Sequence, residues 1–159
     1  MRAIRCIPAF AVLLQVAVCQ SPALIVDGGN GKTVTLTAAD LSKLPQHTIA
    51  ASEHGSPATF EGVLLADVLA KADVPFGEKM HGKSMAMYLL VEAADGYRAI
   101  FALQELDPQF TDRKIYLADK RDGKPLSDKE GPFRIVVPDD KRPARWVRQV
   151  TALRVRQAN

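Results

Sequence analysis

LADKRDGKPLSDKEGPFRIVVPDDKRPARWVRQVTALRV, residues 117–155, is the stretch on which the fold reading turns. Lys114 to Asp119 (KIYLAD) reads as a strand. Asp122-Gly123 is a turn pair and Lys124-Pro125-Leu126 its return, so a hairpin is expected there. Phe133 to Val137 is apolar and strand-like and ends at Pro138. Lys141, Arg142, Arg145 and Arg148 then crowd around Trp146, the one tryptophan of the chain, before a last strand from Thr151 to Val155. Arg154 and Arg156 alternate with apolar residues on that strand and are expected on its exposed face.

The elements upstream are short and mixed. Lys32 to Leu36 alternates as a strand behind the turn Gly28 to Gly31, and Thr37-Ala38-Ala39-Asp40 opens a short helix that Pro45 stops. His47 to Ser52 is a second strand candidate and Glu53 to Pro57 a polar turn. Thr59 to Glu61 forms a third strand. Gly62 leads into VLLADVLAKA, with Val63, Leu64, Val68 and Leu69 on one helical face. Met85 to Ala93 and Tyr97 to Phe101 are strands joined at Asp95-Gly96. Strands with short helices between them predict an α+β domain with a mixed, largely antiparallel sheet.

The first 23 residues differ in kind. Arg2 and Arg5 precede an apolar run from Ile7 to Val18 and then small residues, the plan of a secretory signal peptide. The run is shorter than the ~20 residues that a membrane-spanning helix needs. The expected division is a leader over 1–23 and one domain over 24–159, giving a periplasmic or secreted protein without a membrane span. Cys19 as a lipidated first residue is the alternative. Cys6 and Cys19 are the only cysteines, so the domain itself has neither disulfide nor thiolate. From Gly131 to Asn159 the chain carries seven basic and two acidic residues, whereas Asp27 to Glu130 is net acidic. An acidic body with few aromatics argues against nucleic acid as the partner of that basic end.

FEGVLLADVLAKADVP (60–75), LLVEAADGYRAIFALQELD (89–107) and the block quoted above come in an order that resembles the molybdopterin-binding domain of the sulfite oxidase family. The resemblance runs from about Val34 to Val155. Its most specific part is the Asp-Gly hairpin, the Gly-Pro-x-Arg start, the strand ending in Val-Pro and the basic loop into a Val-Arg pair. It implies the sulfite-oxidase-type fold, and a molybdenum held by a pterin dithiolene whose phosphate basic groups of the last block grip. Carried over by position, Arg134 and Arg148 match those groups, and Lys141, Arg142 and Arg145 lie between them. Guanidinium suits a phosphate because it offers two parallel donors with a fixed charge. A helix beginning near Ala144 would add backbone amides.

The resemblance also marks a departure. Redox members of the family bind the metal through a cysteine sulfur upstream of the Phe-x-Gly-Val motif, and HTIAASEHGSPATFEGV (47–63) holds none; Ser52 stands nearest that place, before Glu53 and His54. A hydroxyl is a harder ligand with a far higher pKa. The family's cofactor insertion before export goes with a twin-arginine signal, which Arg2 and Arg5 do not form. The expectation is therefore an exported, oxidoreductase-like domain that binds an anionic ligand in a basic cleft, with Arg134, Arg148, Arg145, Arg142, Lys141 and Ser52 as the candidate binding residues. The resemblance allows a molybdopterin as that ligand, the missing thiolate favours none bound, a redox role stays open, and no residue is assigned as catalytic or as a metal ligand. A cofactor-free periplasmic module that meets a partner protein is the alternative. His47, His54 and His81 lack ligand spacing, and there is no phosphate-loop, dinucleotide or nucleophile-elbow motif.

Overall fold

A computed structural model describes residues 22–158. The expected leader falls almost wholly outside them. Ten strands form two sheets: β1 (Ala23–Asp27), β2 (Thr33–Thr37), β3 (Gln46–Glu53), β4 (Ser56–Leu64), β5 (Met87–Ala93), β6 (Arg98–Ala102), β7 (Tyr116–Arg121), β8 (Lys124–Pro125), β9 (Arg134–Val136) and β10 (Val150–Gln157). One sheet runs β2-β1-β10-β5-β6 and the other β3-β4-β7-β8, with β9 also on β7. Among the described residues only β1 and β10 pair in parallel, and every other pair is antiparallel. The α+β reading with short helices and largely antiparallel pairing holds, distributed over two sheets.

Local chemistry explains most of the elements. Thr37 caps helix α1 (Ala38–Leu41) in a capping box: the Asp40 amide donates to Thr37 Oγ1 at 3.3 Å, and the Thr37 amide donates to Asp40 Oδ2 at 3.0 Å. That amide, then the Thr37 hydroxyl, lowers the Asp40 carboxyl to about 2. Helix α2 (Leu65–Ala70) buries Leu65, Val68 and Leu69. Asp122 and Gly123, both at positive φ, make the tight turn between β7 and β8. Leu24, Val26, Leu89, Val91, Leu153 and Val155 of the first sheet share one buried cluster with Phe60, Val63, Leu117 and Ile135 of the second.

Several expectations are corrected. Ala23 to Asp27 is a strand, paired with β2 from Ala23↔Thr37 onward, where no strand was expected. Glu53, Ser56 and Pro57 belong to strands, and the turn is only His54-Gly55, at φ 52° and 83°. These two positive φ values make the loop twist with its strands, so pairing continues to the hairpin tip. Pro143 to Arg145 is a single 3-10 turn, not a helix, so no helix N-terminus faces the basic loop. Arg154 and Arg156 are only partly exposed: Arg154 pairs with Glu92 at 2.7 Å and Arg156 with Asp27 at 2.8 Å.

Gly62 shows how tightly β4 lies on β7. A Cβ there would stand 2.2 Å from the Leu117 carbonyl oxygen and 2.6 Å from the Ala118 Cα. Both are backbone atoms, and neither can move without shifting the strand. Gly62→Ala is expected to destabilise the fold by about 2–3 kcal/mol, in the range of core overpacking, read as a lower urea midpoint at unchanged slope.

Candidate functional site

A cleft of about 900 Å³ opens where three segments meet: the hairpin tip Ser52 to Gly55, the turn holding Asp95 and Tyr97, and the basic loop from Pro138 to Arg148. The loop is fixed at both ends. The Trp146 indole Nε1 donates to the Val137 carbonyl at 3.0 Å, and its ring is buried edge-on to Phe60. The Tyr97 hydroxyl donates to the Ala144 carbonyl at 2.7 Å, pinning the loop to the β5–β6 turn. Trp146 thus anchors the C-terminal loop and is also a wall of the cleft.

Arg134 is not in the cleft. It lies on β9, is 0% exposed, and does not contribute to the cleft lining. Its Nη2 donates to Glu53 Oε1 at 2.8 Å and its Nη1 donates to Glu130. Its Cζ stands 4.9 Å from the Phe60 ring centroid and 5.8 Å from that of Trp146. Arg121 Nη1 completes the group, 3.1 Å from Glu53 and 3.0 Å from Glu130. An arginine deep in a core is tolerable only when carboxylates and ring faces replace its water. The expectation that Arg134 reaches a ligand therefore meets a guanidinium already engaged by two carboxylates. Its replacement would disturb the fold itself.

Arg145 is likewise turned away. Its Nη2 donates to Asp140 at 2.9 Å, its Nη1 to Glu105 at 3.0 Å, and its Cζ lies 4.6 Å from the Phe101 centroid. Asp140, then Glu105, raises its pKa against the opposing effect of burial. Ser52, Lys141, Arg142 and Arg148 do line the cleft and are exposed. Among the described residues no carboxylate lies within 4.0 Å of Lys141, Arg142 or Arg148.

The acidic residues of the cleft are committed elsewhere. Glu53 faces it with a carboxylate bound from behind by Arg134 and Arg121, Asp140 is held by Arg145, and Asp95 Oδ1 accepts from the Tyr97 amide at 2.9 Å. Burial works to raise the Glu53 pKa. The hydrogen bond and charge of Arg134, with the charges of Arg121 and Arg148, outweigh it and hold the pKa below the ordinary 4.5. With Asp95 the one acid of the cleft not held by an arginine, the excess charge is positive. Among the described residues no three His, Cys, Asp or Glu side chains come together as a metal site. Sequence reading missed Tyr97 and Arg121, whose contacts with Ala144 and Glu53 span 47 and 68 residues; it also missed Glu130, although the four-residue spacing to Arg134 was a local signal.

The lowered pKa sets a sign. A carboxyl whose folded value lies below its unfolded one stabilises the fold above the unfolded value, and this contribution fades as pH falls through the folded one. Arg134→Met leaves Glu53 and Glu130 facing the core side with Arg121 as their remaining ion-pair partner, and should cost about 3–5 kcal/mol at pH 7. That deficit should shrink below pH 4.5, the ordinary carboxyl value, as Glu53 takes up a proton. Urea unfolding of both proteins at pH 7 and pH 3 checks both statements.

Comparison with known proteins agrees with this architecture. A family model described as the oxidoreductase molybdopterin binding domain matches residues 15–159. Twenty-four chains of solved structures match. One, the sulfane dehydrogenase SoxCD from Paracoccus pantotrophus, is 24% identical with a TM-score of 0.63, over 84% of this chain. The match spans 38% of the SoxCD chain, so it bears on this fold and not on that protein's whole activity. No curated protein sequence matches. With its two-sheet fold and the order of its motifs, the chain belongs to the oxidoreductase molybdopterin-binding domain family.

Proposed function

We propose that this chain is an exported member of the family that binds a small anionic ligand in its basic cleft and does not itself run metal-centred redox chemistry. One observation carries the reading. Two of the three carboxylates of the cleft, Glu53 and Asp140, are bound by arginines from behind, while Lys141, Arg142 and Arg148 face the opening with no carboxylate within 4.0 Å among the described residues. With Asp95 counted, the opening keeps a positive excess. In a cleft partly walled by Trp146, such cations act at a lower effective dielectric than they would on a flat surface.

The cofactor of the family asks two things of a site, and this one answers them differently. A phosphate is suited by the three cations. The metal is not suited. Residues 20–159 contain no cysteine, and Ser52, at the place where a thiolate would be expected, is an exposed hydroxyl. The neighbouring Glu53 has both oxygens engaged by arginine, so it has no lone pair readily spared for a metal. This donor chemistry supports a site for anions over a site for molybdenum. The leader-like first residues support export. In the described residues no helix is long and apolar enough to cross a membrane.

Calorimetric titration of the purified protein with inorganic pyrophosphate should show binding that weakens as salt rises. Arg148→Ala and the double variant Lys141→Ala/Arg142→Ala should each lose about tenfold or more in affinity, the worth of a charge-assisted contact. Equal affinity in all three proteins would refute the assignment. Elemental analysis of natively exported protein should find molybdenum well below one atom per chain, and a stoichiometric amount would overturn the metal part of the reading.

A further inference from the structure

The longest sheet edge of the molecule ends at the cleft. β3 pairs with β4 on one side and, among the described residues, with no strand on the other. The tight His54-Gly55 turn makes Glu53 and Ser56 the hydrogen-bonded pair next to the loop, so bonding to β4 falls on Glu53, Ala51, Ile49 and His47. The amides and carbonyls of Thr48, Ala50 and Ser52 therefore point away from β4, and all three residues are exposed. No side chain or turn among the described residues bonds to those amides.

Other strand edges here are protected in the ways that natural sheets use. β6 carries Arg98, β8 is two residues long and contains Pro125, and β9 is covered by the C-terminal segment, where the Ile135 amide donates to the Val147 carbonyl at 2.8 Å. β2 is only five residues long. β3 is eight residues long, has no bulge against β4, and carries no Asp, Glu, Lys or Arg from Gln46 to Ser52. Its last residues, Ser52 and Glu53, are already part of the cleft wall.

We propose that this edge of β3 is a docking strip for an extended segment of a partner protein, which adds a strand antiparallel to β3 and lays an acidic N-terminal end against Lys141, Arg142 and Arg148. Main-chain bonds to Thr48, Ala50 and Ser52 supply affinity with little demand on sequence, and the cleft selects for acid. The direction follows from the geometry: β3 runs toward the cleft, so an antiparallel segment begins there. The proposal rests on the anion-binding reading of the cleft and identifies the chemical class of what enters it.

The test uses a fluorescein-labelled peptide, Asp-Asp-Glu-Thr-Val-Thr-Val-Thr, titrated with the full chain and read by anisotropy. Ala50→Pro removes an outward amide without removing a bond to β4, which an edge strand tolerates. It should weaken peptide binding about tenfold or more while leaving pyrophosphate binding unchanged. Replacing the three acidic residues of the peptide by lysine, or methylating its alternate backbone nitrogens, should weaken binding to the unaltered protein as much. Peptide binding that is indifferent to Ala50→Pro and to N-methylation would overturn the proposal. So would absence of peptide binding at millimolar concentration by a protein that still binds pyrophosphate. Failure of pyrophosphate itself would instead sink the anion reading. A dimer seen in sedimentation that Ala50→Pro dissolves would assign the strip to a second copy of this chain, against the proposal.

Discussion

The cleft depends on one buried cation. Arg134 sits where a strand of a small core would ordinarily carry valine or isoleucine, and it is kept there by Glu53, Glu130 and the faces of Phe60 and Trp146. An ion pair at such depth contributes little net stability compared with well-packed hydrocarbon, because desolvating its members cancels most of their attraction. Its value is positional. Three of its partners bear directly on the cleft: Glu53 and Trp146 are in the wall, and Phe60 supports Trp146 from beneath. The hairpin tip from β3 and β4 is thereby tied to the C-terminal loop, although these segments share no strand pairing.

The arrangement sorts the charges of the C-terminal block into two groups. Arg134 and Arg145 face inward or sideways onto carboxylates and aromatic rings, and they shape the molecule. Lys141, Arg142 and Arg148 face outward and carry the potential that a ligand would meet. The division has a simple electrostatic outcome. Inward arginines neutralise Glu53 and Asp140, which would otherwise cancel the outward cations, so a region of mixed charge presents a positive excess at its opening. A ligand reading that counts all the arginines alike overstates the site and misses what holds it open.

Much of the fold was legible in local pattern. Alternating runs, Asp-Gly pairs and the Thr37 to Asp40 cap act over a few residues, so β2, β5, β6, β7 and α1 stand close to where spacing places them. The departures have physical causes. β1 does not stand out because Leu24, Ile25 and Val26 form an unbroken apolar run without alternation, and its place between β2 and β10 shows only in the sheet. The polar stretch around residue 54 reads as a loop because polar residues usually mark one. Yet two consecutive positive φ values at His54 and Gly55 let the ladder run almost to its tip. The expected helix near Ala144 fails because Pro143 permits a first turn and the burial of Trp146 ends it.

By itself the amino-acid sequence determined the strand-rich class, the basic character of the last block, the absence of cysteine from residue 20 onward and the family whose motifs it carries in order. Which of its arginines face a ligand was decided only in three dimensions. Arg134 meets a carboxylate 81 residues away, and Arg145 one 40 residues away. Whether a cation on a strand or loop turns inward depends on finding such a partner at the right depth. Alternation along a chain places a side chain on a face; strand register across sheets determines which charge waits there.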